Sequence, residues 1–142
     1  MAHHSLEILL VEDNEGDIEM TERAIRDGEP ACHLSVVNNG LEAMDFLLKR
    51  GDFANAPTPR LILLDLNMPK MDGKRFLEVV KKEPQVKVIP VIMLTSSQSP
   101  VDIRECYERH ASCYVVKPFD CKEFMHAVRQ IVNFWSKQGQ LP

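Results

Sequence analysis

No apolar run in this sequence reaches the ~20 residues a bilayer-spanning helix requires, and no long apolar segment stands at its amino end to direct export. A cytoplasmic protein is therefore expected. Glycine-rich phosphate loops are missing too: there is neither a GxGxxG nor a GxxxxGK, which removes the usual signatures of dinucleotide and nucleoside-triphosphate binding. The formal net charge is −4, so the chain lacks the concentrated positive surface that nucleic acid demands. Direct DNA binding is not expected. Cys32, Cys106, Cys113 and Cys121 form no CxxC pair, which argues against zinc-knuckle and thioredoxin-type motifs and for buried free thiols. His33, His110 and His126 likewise show no metal-ligand spacing.

What is present is the composition of an ordinary globular domain. The 142 residues, 44% apolar and 27% charged, suit one domain with a real core. That domain is expected over residues 5–137, followed by a tail at 138–142. Leu6-Glu7-Ile8-Leu9-Leu10-Val11 reads as a strand buried on both faces, and it ends abruptly in Glu12-Asp13. Asn14 is placed to cap a first helix, with Asp17 at the capping-box position, Ile18, Thr21 and Ile25 at helical spacing, and a stop at Gly28. A second strand over 34–37, a second helix over 41–49 and a long irregular connection over 51–59 follow.

The third strand, Leu61-Ile62-Leu63-Leu64, runs straight into Asp65. A third helix is expected over 73–82, a fourth strand over 88–94 ending at Thr95, and a fourth helix over 100–109 opened by Ser99-Pro100. The fifth strand, 113–116, leads to Lys117-Pro118, and Asp120 caps a last helix carrying Phe124, Val128, Ile131 and Trp135 at helical spacing. Strands alternating with helices in this way predict a doubly wound α/β fold, a five-stranded parallel sheet with five helices.

In such sheets ligands bind beyond the carboxyl ends of the strands. Glu12-Asp13, Asp65, Thr95 and Lys117 each follow or close a different strand, so one edge of the sheet should gather them. Crowded carboxylates repel unless a cation sits among them, and an all-oxygen donor set suits magnesium better than zinc. An aspartate beside a metal, a lysine and a hydroxyl has the parts for phosphoryl transfer. Asp65 is the nucleophile of choice.

These residues resemble the response-regulator receiver domains of two-component signalling over about residues 6–136. The match is carried by Glu12-Asp13, by Leu61 to Pro69 with Asp65 inside it, by Met71-Asp72-Gly73, by Thr95-Ser96 and by Tyr114-Val115-Val116-Lys117-Pro118. The resemblance implies a flavodoxin-like receiver fold whose Asp65 takes a phosphoryl group from a histidine kinase. It implies that Asp13, Asp65 and the backbone carbonyl of Asn67 bind Mg2+ directly, with Glu12 acting through water. It also implies a cis Lys117–Pro118 peptide and a Thr95/Tyr114 switch pair, although Tyr114 also suits a half-buried core position. Such a domain is a signalling switch that catalyses only its own phosphorylation and dephosphorylation.

Within the family, the Val11 to Asn14 start, the long connection containing Asn55, the segment 107–117 and Phe134-Trp135 resemble the small regulators serving phytochrome-type histidine kinases. Those relatives tend to form homodimers through the fourth helix, fifth strand and fifth helix, and without an output domain the signal would pass to an unnamed downstream protein. A phosphatase of the haloacid-dehalogenase type would need a second aspartate at position 67, where Asn67 stands. A pseudo-receiver that binds partners without phosphorylation is the other alternative, and the complete acidic set counts against it.

Overall fold

The computed structural model of the chain describes residues 6–27, 31–118 and 120–138. The apolar runs form β1 (Leu6–Val11), β2 (Cys32–Val37), β3 (Leu61–Leu64), β4 (Val91–Thr95) and β5 (Cys113–Val116), five parallel strands in the order β2-β1-β3-β4-β5. Between and after them lie α1 (Glu15–Arg26), α2 (Gly40–Leu47), α3 (Gly73–Val80), α4 (Pro100–Glu108) and α5 (Cys121–Asn133). The expected doubly wound five-stranded sheet with five helices is the fold observed.

Successive strand residues point to opposite faces, and this alternation decides the two layers. Ile8, Leu10, Leu61, Leu63 and Ile92 pack with Ala24 and Ile25 of α1 and with Phe124, Val128 and Val132 of α5. Leu9, Val11, Ile62, Leu64 and Met93 pack instead with Met44, Leu47, Phe76, Leu77, Val80 and Cys106 of α2, α3 and α4. Covered on both faces, β3 has every residue buried, which is why it reads as an unbroken apolar run.

Each helix starts on a side chain that accepts a hydrogen bond from an otherwise unpaired N–H of its first turn. Asn14, Asn39, Asp72, Ser99 and Asp120 fill this role for the helices in order. From β1 the chain steps outward to β2, then returns past β1 to β3, β4 and β5. The order therefore reverses between β1 and β3, and the crevice at their carboxyl ends is the topological switch point.

Several boundaries differ from expectation. The fourth strand starts at Val91 instead of 88, because residues 83–89 are wound into turns by bonds such as Ile89 N–H to the Val86 carbonyl. Pro90 has no N–H to give and contributes its carbonyl to Ile62. The third helix ends at Val80, the second spans Gly40–Leu47, and the second strand already begins at Cys32.

The connection after α2 is not wholly irregular: Gly51–Phe53 form a short tight turn that sets the Phe53 ring 5.5 Å from Phe46. Beyond α5, Phe134–Gln138 continue as a wider turn of helix. Cysteine burial was expected throughout, but only Cys106 is buried; Cys32 and Cys113 are half-buried and Cys121 is exposed at the start of α5. The expected helix stop at Gly28, residues 1–5 at the amino end, including the expected start of the domain, and residues 139–142 of the tail lie outside the described residues. Among the described residues no helix is long and apolar enough to cross a membrane.

Candidate functional site

Strand register brings the acidic residues together. Val11 pairs with Leu64, so Glu12 and Asp65 leave neighbouring strands at one level, and the Asp65 N–H donates to the Val11 carbonyl at 3.1 Å. Carboxylate oxygens of Glu12, Asp13 and Asp65 lie within 4.8 Å of one another. Lys117 arrives from the end of β5, its N–H donating to the Thr95 carbonyl at 2.8 Å. Its ammonium lies 2.6 Å from Glu12 Oε1, 2.7 Å from Asp17 Oδ2 and 3.8 Å from Asp65 Oδ2. Sequence-distant strand ends thus converge on one pocket, as expected.

Burial sets the electrostatics. Glu12 is 2% exposed, and this desolvation, aided by the negative charge of Asp65 and opposed by the Lys117 bond, pushes its carboxyl up to about 7. Burial works the other way on Lys117, but its hydrogen bonds to Asp17 and Glu12 and the charge of Asp65 outweigh it and raise the ammonium above its ordinary value. Asp65 is 9% exposed, and its Oδ1 accepts from the Leu66 N–H at 2.9 Å, which fixes the carboxylate plane and turns Oδ2 toward Lys117. A hard divalent cation fits this site. Its donors are all carboxylate oxygens, and the burial of Glu12 beside the charge of Asp65, which together lift its carboxyl, is a penalty that a dication would relieve.

The loop after β3 is built to hold Asp65 in place. Gly73 donates to the Leu66 carbonyl at 2.8 Å, and a Cβ on Gly73 would sit 2.5 Å from the Asp65 carbonyl oxygen, so only glycine permits this approach. Lys70, with φ of 67°, turns the loop, and Asn67 is exposed on it while Met68 is buried. Thr95 is fully buried at the end of β4. Tyr114 is half-buried on β5 and its hydroxyl donates to the Ser97 carbonyl at 2.9 Å, so the ring spans from β5 to the loop that follows Thr95.

A comparison with known families decides what this pocket belongs to. The profile of the response regulator receiver domain matches residues 8–129. This chain is a member of that family. It is a receiver-domain signalling protein of two-component systems, and receiver domains bind a divalent metal at an acidic pocket of this kind. Response regulator Rcp1 of Synechocystis sp. is 39% identical over 95% of this chain and 92% of its own length. The crystal structure of the phosphorylated cyanobacterial phytochrome response regulator RcpA superposes with a TM-score of 0.94 at 38% identity, covering 98% of this chain and 99% of that one. That of the Mn(2+)-bound form of Rcp1 gives 0.90 at 39% identity, covering 96% of this chain and 98% of that one. The receiver is thus homologous to single-domain phytochrome response regulators, a class whose partners are histidine kinases.

Two parts of this receiver site were not read from the sequence. The capping-box position of Asp17 predicts that its carboxylate accepts from the Asn14 N–H, but that N–H donates to Glu12 Oε2 at 3.2 Å and the Asp17 carboxylate pairs with Lys117. No local pattern signals this pairing, because Asp17 stands in the first turn of α1 and Lys117 follows β5, a hundred residues on. The second part is an ion network beside Tyr114. Lys74 of α3 reaches Asp102 at 2.6 Å and Glu105 at 3.2 Å on α4, and the Ser97 hydroxyl donates to Asp102 at 2.6 Å. Those contacts depend on how two helices pack, which no local pattern announces.

Proposed function

We propose that this receiver accepts a phosphoryl group on Asp65 from the phosphohistidine of a histidine kinase, with Mg2+ as its metal. The observation that carries this reading is the convergence of Glu12, Asp13, Asp65 and Lys117 within one pocket at the switch point of the sheet. With Oδ1 held by the Leu66 N–H, Asp65 Oδ2 is the attacking oxygen. It forms the new bond to phosphorus as the bond to the kinase imidazole nitrogen breaks, and the imidazole leaves with that electron pair. Asp13, Asp65 and the Asn67 carbonyl would hold Mg2+, with Glu12 acting through water. When bound, the ion neutralises phosphoryl oxygens and offsets the carboxylate charge. Lys117 supplies a second positive charge to those oxygens, and Thr95 donates its hydroxyl to one of them.

The signal then leaves through Thr95 and Tyr114. The backbone bond from Lys117 to Thr95 and the Tyr114 hydroxyl on Ser97 join the phosphoryl end of β4 to β5, so a shift of Thr95 is felt by the tyrosine. Exposed Val101 and Tyr107 on α4 and Phe134 after α5 offer apolar contacts on the corresponding face, which supports a homodimer and a downstream protein partner there. Phytochrome-type kinases are the proposed phosphoryl donors, because the relatives in hand are phytochrome response regulators. The test is intact-mass spectrometry after incubation with acetyl phosphate. One phosphoryl group gained by the wild type only with magnesium, and never by Asp65→Asn, is the expected result; uptake by the variant would refute Asp65 as acceptor.

A further inference from the structure

We propose that Asp17 is a positioning residue for Lys117, holding its ammonium off Asp65 and competing with the phosphoryl group for it. The inference rests on the reading of Asp65 as phosphoacceptor. The Lys117 ammonium is 2.7 Å from Asp17 and 2.6 Å from Glu12 but 3.8 Å from Asp65. Two of its N–H groups are thus directed away from the oxygen they must serve once Asp65 carries phosphate.

The two competing carboxylates differ in one respect. Glu12 belongs to the cluster of oxygens that a dication would draw on, whereas Asp17 does not, so Asp17 is the partner that stays with the lysine. It is also held firmly. Its N–H donates to Asn14 Oδ1 at 2.9 Å, and its carbonyl accepts the Thr21 hydroxyl at 2.7 Å, which anchors it in the first turn of α1. The pair is shielded from solvent, with the Lys117 side chain 9% exposed and that of Asp17 22%, so salt screens it less than a surface pair. Each time Lys117 turns to the phosphoryl oxygens it gives up part of this attraction. Asp17 therefore raises the free energy of the phosphorylated form and weakens the grip on the phosphate.

Calorimetric titration of the full chain with beryllium fluoride, a mimic of the acyl phosphate, in saturating magnesium tests this. Asp17→Asn keeps the shape and removes the charge; it should bind about fivefold more tightly than wild type, the scale of one partly shielded charge-assisted bond. Asp17→Glu should return the affinity to the wild-type value. A residue that merely stabilised the helix would lower the melting temperature without changing this affinity. Should Asp17→Asn not fold, Asp17→Ser makes the same test. Equal or weaker binding by the neutral variant overturns the inference. Failure of the wild type itself to bind beryllium fluoride overturns the phosphoacceptor reading, and the inference with it.

Discussion

Asp65 owes its placement to residues with no chemistry of their own. Gly73 is the sharpest case: an alanine there drives its Cβ against the Asp65 carbonyl, and the loop must shift. Gly73→Ala is expected to cost about 1–3 kcal/mol of stability, the usual range for an over-packed contact, and to slow phosphoryl uptake. Urea unfolding read beside intact mass would check both effects. Glu12 makes a prediction about pH. Its folded carboxyl titrates at about 7, above its ordinary 4.5, so the folded state holds the proton more tightly. Stability from this group is present below the lower value and is lost as pH rises through the upper one. A dication binds the ionised form and relieves that loss. Thermal melts should therefore show a larger gain from magnesium at ~pH 8 than at ~pH 6, and equal gains would count against Glu12 as part of the metal site.

At the scale of elements, α3 carries two separate tasks. Phe76 and Leu77 seal one face of the sheet, both fully buried, and Phe76→Ala should cost about 3–5 kcal/mol in equilibrium unfolding. On its outer side Lys74 joins α4 through Asp102 and Glu105, and Asp102 in turn holds the Ser97 hydroxyl beside Tyr114. The Asp102 bond comes first in raising the Lys74 ammonium, and Lys74 in turn lowers the Asp102 carboxyl. These side chains are each 27% exposed, so the pair should be worth less than about 1 kcal/mol to folding. A double-mutant cycle on Lys74→Ala and Asp102→Ala should return a coupling of that size. A larger coupling in the presence of beryllium fluoride would tie the network to switching.

On the scale of the whole molecule, the fold leaves Val101, Tyr107 and Phe134 exposed on or beside the elements that flank β5, with Phe134 set edge-on to Trp135 at 5.4 Å. Sedimentation with magnesium and beryllium fluoride should show a higher dimer fraction than without them. An unchanged distribution would refute phosphorylation-linked dimerisation and leave the phosphoryl chemistry untouched.

What the sequence determined by itself is whatever short-range physics controls. Buried strands announce themselves as apolar runs, helix starts as Asn14, Ser99 and Asp120, and the acidic and basic residues at strand ends as abrupt charge after Val11, Leu64 and Val116. That a doubly wound sheet gathers such ends on one edge is a rule of topology, so the membership of Glu12, Asp13, Asp65 and Lys117 in one pocket was legible before any coordinates. Tertiary structure alone decided which charges touch. Whether Lys117 meets Asp65 or Asp17, and whether Lys74 meets Asp102, depends on side-chain reach and helix placement to within an ångström or so, and Coulomb energies in a partly buried pocket change steeply over that distance. The late start of β4 has the same origin, because strand pairing with β3 at Ile62 and Val91, and not local propensity, determines where the ladder begins.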